Sequence, residues 1–167
     1  TSLIDEATKE KLIDEALDKI IPELTKEASK IPASESTILA IDWMNGRRTP
    51  DASQLVKGTI SGLNLASTAP LIFKALIEAT AFGSKAIVDR FLENGIEIES
   101  VIGIGGISLK SPLVMQTLAD VLNMPNKVAK TEQACAFGAA MFASVVAGAH
   151  KDIYEAQKAM GQGFLHE

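Results

Sequence analysis

The sequence predicts an α/β chain with a short, mostly parallel sheet flanked by helices. Three observations predict it. Val101, Ile102 and Ile104 form a short apolar run ending on Gly105-Gly106, the pattern of a strand buried on both faces and closed by a turn. Just beyond, Ser111 suits a helix N-cap and Pro112 the first helical position. Strand then alternates with helix through residues 101–148, the order that builds a parallel sheet. Burying each apolar side chain contributes roughly 1.5–3 kcal/mol, so the run at 101–104 is expected at the centre of the sheet. Its two glycines lack a Cβ, which lets the main chain turn sharply or approach a ligand closely. Ligands of open α/β sheets sit at such strand ends, although a tight ligand-free connection fits the same residues. The turn is neither a dinucleotide nor a P-loop fingerprint: the GxGxxG spacing is incomplete and no Gly-Lys-Ser/Thr follows.

The 167 residues are enough for a real core, and residues 1–167 read as a single domain. The net charge of −5 argues against a nucleic-acid partner, which requires clustered basic residues. No apolar run reaches membrane-spanning length, and neither a signal peptide nor a membrane partner is expected. The single cysteine, Cys135, excludes an internal disulfide and fits a reducing cytoplasm. With only His150 and His166, no metal site is expected. Mean hydropathy is +0.17, slightly high for a free-standing small domain.

Taken in order, residues 5–21 read as an amphipathic helix, with Leu12, Ile13, Ala16, Leu17, Ile20 and Ile21 at helical spacing. Pro22 cannot donate to that helix and would clash with the Asp18 carbonyl, so a break is expected there, followed by a second short helix to about residue 29. Residues 31–37 read as a linker. Residues 38–43 read as a strand and Asn45-Gly46 as a turn. The Arg47-Arg48-Thr49-Pro50-Asp51 loop that follows suits an anion site, a chain crossover or plain solvent exposure. Gly58 and Gly62 bound a segment without a clear pattern.

The longest helix is expected over residues 70–94, capped by Ser67 or Thr68 and ended by Gly95. Its expected buried side is Ile72, Phe73, Leu76, Ala79, Ile87, Val88, Phe91 and Leu92. Glu78 within it reads as a surface charge or a buried partner, since no second carboxylate is placed to share acid–base work. Further helices are expected over 112–122, 133–148 with Thr131 as cap, and 153–160, with a short strand at 127–129. The helix at 133–148 is dense in alanine and glycine, a composition that permits close packing. Cys135 on it reads as a small buried residue, with no basic neighbour to activate it.

Several motifs together resemble a known family. They are Asp42-Trp-Met-Asn-Gly-Arg-Arg-Thr-Pro50, Ala75-Leu-Ile-Glu-Ala-Thr-Ala-Phe-Gly83, Gly105-Gly106, Ser111-Pro-Leu-Val-Met-Gln116, Thr131-Glu-Gln-Ala-Cys-Ala-Phe-Gly-Ala-Ala-Met-Phe142 and Glu155-Ala-Gln-Lys-Ala-Met160. In this order they resemble the carboxy-terminal domain of the FGGY carbohydrate kinases, and look most like the branch acting on L-ribulose.

The resemblance implies part of an actin-like, ribonuclease-H-like ATPase fold, with ATP and Mg²⁺ as cofactors and L-ribulose as sugar. It implies that Gly105 and Gly106, with Ser111 and Lys110 beside them, approach the adenosine part of the nucleotide. Residues 134–140 would pack behind the turn. The family often carries Asn where Ser111 stands. No catalytic residue is implied here, because the aspartate that deprotonates the accepting hydroxyl belongs to the family's amino-terminal domain. The Asp-x-Gly start of that domain and the Gly-Thr-Ser phosphate loop are not found in this sequence, which also ends soon after Gly163. The expectation is a domain fragment, inactive alone, whose partner is an amino-terminal kinase domain. Apolar surface exposed where that partner and the first strands belong should lead to self-association. Another pentose or polyol kinase, or a non-catalytic association module of the same fold that presents the helix at 70–94 or the loop at 42–50 to a partner, are the alternatives.

Overall fold

The computed structural model describes residues 5–166, the His166 side chain excepted. The chain divides into two compact units, Thr1–Gly83 and Ser84–Glu167.

The first unit opens with α1 (Glu6–Ala28), capped by Asp5, whose side chain accepts from the Thr8 amide. α1 is one helix, with Pro22 inside it, in place of the expected break. Asp18 and Pro22 both lie on exposed turns, so a carbonyl deprived of its N–H partner is open to water. Helical bonding resumes beyond the proline, as in Ser29 N–H to Thr25 O at 3.0 Å. The expected apolar face of α1, including Leu12, Leu17 and Ile21, is exposed.

A 3₁₀ turn (Ala33–Glu35) interrupts the expected linker, and β1 (Leu39–Ile41) then pairs antiparallel with β2 (Thr59–Ser61). β2 is the unpatterned segment between the two glycines. α2 (Ala69–Glu93) follows and runs through the boundary between units.

The small core of the first unit contains Ala28, Ile38, Ala75, Ile77, Ala79 and Ala81. A polar cluster lies at its edge. Lys74, itself buried, donates to the Ile31 carbonyl and lies 4.0 Å from Glu78. Glu78 in turn accepts from the Ser36 hydroxyl at 2.9 Å. Glu78 is therefore a part-buried partner, one of the two roles its sequence context allows.

In the second unit, β3 (Val101–Gly103) pairs parallel with β4 (Asn126–Ala129), with Gly103 opposite Val128. α3 (Gly106–Lys110) and α4 (Pro112–Leu122) cross between them. β5 (Phe164–His166) adds an antiparallel edge beside β4. The parallel pairing predicted by the strand–helix–strand order thus lies at β3–β4. β4, not β3, is the middle strand: Ile102 is 52% exposed and Ile104 58%. The run at 101–104 was expected to be central because it is apolar; order in the sheet is a long-range property that an apolar run does not encode.

α5 (Ala134–Val146) and α6 (Ile153–Met160) pack on each other. Three expectations on α5 are corrected. Cys135 is exposed. Ala136, Ala139, Ala140 and Ala143 are exposed too, so the small-residue face is not packed behind the turn. The N-cap position is Gln133, with no side-chain bond, while Thr131 stands two residues earlier. On α2, Phe91 and Leu92 are exposed where burial was expected, whereas Val88 is buried. No helix among the described residues is long and apolar enough to cross a membrane.

Candidate functional site

The bend after β3 is built by three glycines with different tasks. Gly103 is the last residue of the strand. A Cβ placed on it would lie 2.7 Å from Met115 Cε and 2.9 Å from Ser108 Cβ, so α3 and α4 can close on the strand only over a bare backbone. Gly105 has φ +84° and ψ −177°, a backbone region essentially reserved for glycine. Gly106 begins α3, and neither Gly105 nor Gly106 has an atom within 4 Å of its would-be Cβ. The bend is thus closed beneath Gly103 and open at the next two glycines.

The bend is pinned from within. The Ser108 hydroxyl donates to the Gly105 carbonyl at 2.8 Å, and the Ser111 amide donates to the Ile107 carbonyl at 2.9 Å. The Ser111 hydroxyl accepts from the Val114 amide at 3.4 Å, capping α4, and Pro112 occupies its first turn. Lys110 ends α3 and is exposed. All four residues expected to form a site, Gly105, Gly106, Lys110 and Ser111, therefore sit on the single β3–α3–α4 connection. Three further contributors escaped sequence reasoning, Gly103, Ser108 and Met115. The Gly-x-Gly-Gly spacing was the available signal, since the first glycine of such a bend faces the helix that follows.

Among the described residues no group of three or more His, Cys, Asp or Glu side chains could hold a metal ion.

A separate hollow of about 410 Å³ lies in the first unit, lined by residues 45–54 and including Arg47, Arg48 and Thr49. It occupies the arginine loop noted in the sequence.

Residues 2–147 match the profile of the FGGY family of carbohydrate kinases, C-terminal domain. The chain belongs to the FGGY family. Among FGGY relatives, a ribulokinase of Vibrio parahaemolyticus is 48% identical over 147 residues, covering 88% of this chain and 26% of its own length. A ribulokinase of Halalkalibacterium halodurans is 43% identical over 143 residues, 83% of this chain and 25% of its own. The chain thus spans about a quarter of the length of the curated relatives it matches.

Solved FGGY structures agree on the fold. Xylulose kinase from Rhodospirillum rubrum superposes with a TM-score of 0.71 at 25% identity, covering 87% of this chain and 29% of that one. Plasmodium falciparum glycerol kinase, solved with ADP, gives 0.70 at 21% identity over 93% and 32%. The chain is α/β and carries part of the actin-like ATPase fold of these kinases.

Proposed function

We propose that this FGGY chain is the nucleotide-side part of the carboxy-terminal domain of an ATP-dependent sugar kinase, one that converts L-ribulose to L-ribulose 5-phosphate. The observation that carries the reading is the open main chain at Gly105 and Gly106. A base or ribose can approach the main chain most closely where no Cβ intervenes. In this proposal Gly105 and Gly106 face the adenosine, while Ser111 and Lys110 flank it with a hydroxyl and an ammonium group. The similarity to ribulokinases supports L-ribulose over other pentoses and polyols.

The residues of the bend suit the adenosine end of ATP but bring no group to the reacting end. Phosphoryl transfer is chiefly the positioning of the γ-phosphate, Mg²⁺ and the accepting hydroxyl. In this reading that machinery belongs to an amino-terminal domain, with which this chain must associate in the intact cytoplasmic enzyme. ATP with Mg²⁺ supplies the phosphoryl group; this chain binds and orients the nucleotide. The 167-residue chain by itself is thus expected to bind adenosine nucleotide without phosphorylating L-ribulose.

A coupled ADP-release assay with L-ribulose tests the reading. It predicts no turnover for the purified chain and turnover for the same chain within the whole protein. Steady ribulose-dependent ADP release by the chain alone would contradict it.

The exposed apolar residues of α1 favour a second reading, in which the unit is a non-catalytic association module. A chain that binds a protein partner through α1 but shows no nucleotide-dependent change at residues 105–111 would support that alternative.

A further inference from the structure

The hollow in the first unit has a chemistry that the adenosine reading leaves unused. Its lining, drawn from residues 45–54, contains two guanidinium groups and no carboxylate. The two arginines are held differently. Arg47 is fixed on three sides. Its backbone pairs with Ser53 through bonds of 2.8 and 2.9 Å. Its Nε donates to the Asp51 carbonyl at 2.5 Å. Its guanidinium carbon sits 5.3 Å from the centre of the Trp43 ring. Nε and one ring face are thereby used, and the two Nη groups make no hydrogen bond among the described residues.

Arg48, by contrast, is exposed and makes no hydrogen bond or ion pair among the described residues. Asn45, Thr49, Ser53 and Gln54 add neutral hydrogen-bonding groups to the same wall.

A stacked, oriented guanidinium beside a second, unengaged one is matched to a tetrahedral oxyanion. The planar fork gives paired N–H donors to two oxygens of one phosphate, and stacking removes part of the ordering cost before the ligand arrives. We propose that the 45–54 hollow binds the phosphate group of a small phosphate monoester, with Arg47 as the preset donor and Arg48 closing on the anion. The site shares no residue with the β3–α3–α4 connection and does not depend on what that connection binds. Its volume of about 410 Å³ leaves room for more than the phosphate alone, so the ester group of a small phosphorylated metabolite also fits.

Trp43 is the only tryptophan in the chain, so its fluorescence reports on Arg47 directly. The experiment titrates the protein with inorganic phosphate, with ribose 5-phosphate and with neutral ribose. Trp43 emission is read together with amide shifts over residues 45–54. The expected result is a saturable response to both phosphates and none to ribose. Tighter binding of ribose 5-phosphate would identify an ester ligand; equal binding would identify the free anion.

Arg48→Ala should weaken the response by about tenfold or more, the usual effect of losing a hydrogen bond to a charged group. The thermal midpoint should not change, since Arg48 supports nothing in the fold. Arg48→Lys should recover only part of the loss, keeping the charge without the fork. The proposal is overturned if neither phosphate perturbs Trp43 or residues 45–54, if ribose gives the same response, or if Arg48→Ala binds as the unaltered protein does.

Discussion

At Gly105 and Gly106, two neighbouring glycines that look alike in sequence carry different loads. Gly105 holds φ +84° and ψ −177°, so Gly105→Ala is expected to destabilise the second unit by about 1–3 kcal/mol. Gly106 has no positive φ, begins a helix and has open space at its Cβ. Gly106→Ala is therefore expected to change stability by less than about 1 kcal/mol, with stabilisation as the favoured sign. Urea unfolding of the two variants checks the contrast, and equal losses would refute it. If the bend faces adenosine, Gly106→Ala should nonetheless weaken nucleotide binding, because its methyl group would occupy the open side. The bend and the Ser111-Pro112 helix start were legible in the sequence because glycine and cap chemistry are local. The closure of Met115 over Gly103 was not, because it depends on which way α4 returns to the strand.

Single elements show where local rules gave way. The Pro22 break was expected from one lost hydrogen bond and a steric clash, yet α1 continues through it. Apolar periodicity did predict α1, but not that its apolar side would be uncovered. The start of α4 was read as it stands because Ser111 and Pro112 mark it chemically, while the left-handed Asn123 at its end and the Asp152 cap of α6 are seen in the structure. The α5 start lacks such a mark, and the cap was misplaced.

The α1 cap also gives a pH prediction. The Thr8 hydroxyl at 2.7 Å, and then the Thr8 amide, hold the Asp5 carboxyl below its ordinary 3.8. A carboxylate whose folded value is lowered stabilises the helix above its unfolded value, and that contribution is lost as the pH falls through the folded one. The first turn of α1 should consequently loosen in acid, with the Thr8 amide resonance moving as pH drops below 3.8. Asp5→Asn keeps a good cap without the titration, so its Thr8 amide should stay still over that range. An unchanged acid profile in Asp5→Asn would show that another group controls the turn.

Across the whole molecule, the amount of uncovered apolar surface dominates. Leu12, Leu17 and Ile21 of α1 are exposed, as are Phe142 and Val146 of α5, the last at 90%. Exposed apolar side chains favour association, so light scattering should show concentration-dependent oligomers, and Leu17→Lys with Ile21→Lys should reduce them. A chain that stays monomeric at all concentrations would contradict this. The α/β class and the family were legible because many short motifs occur in one order. The two compact units were not, since their boundary falls inside α2 (Ala69–Glu93), whose pattern runs without a break.

The central claim is that the bare backbone after β3 faces the adenosine of a nucleotide. Its most direct test is an amide-shift titration of the protein with adenosine, which carries no phosphate and so does not engage the arginine hollow. Saturable shifts centred on residues 105–111, and weaker in Gly106→Ala, are predicted. Shifts centred elsewhere, or none at saturating adenosine, would contradict it.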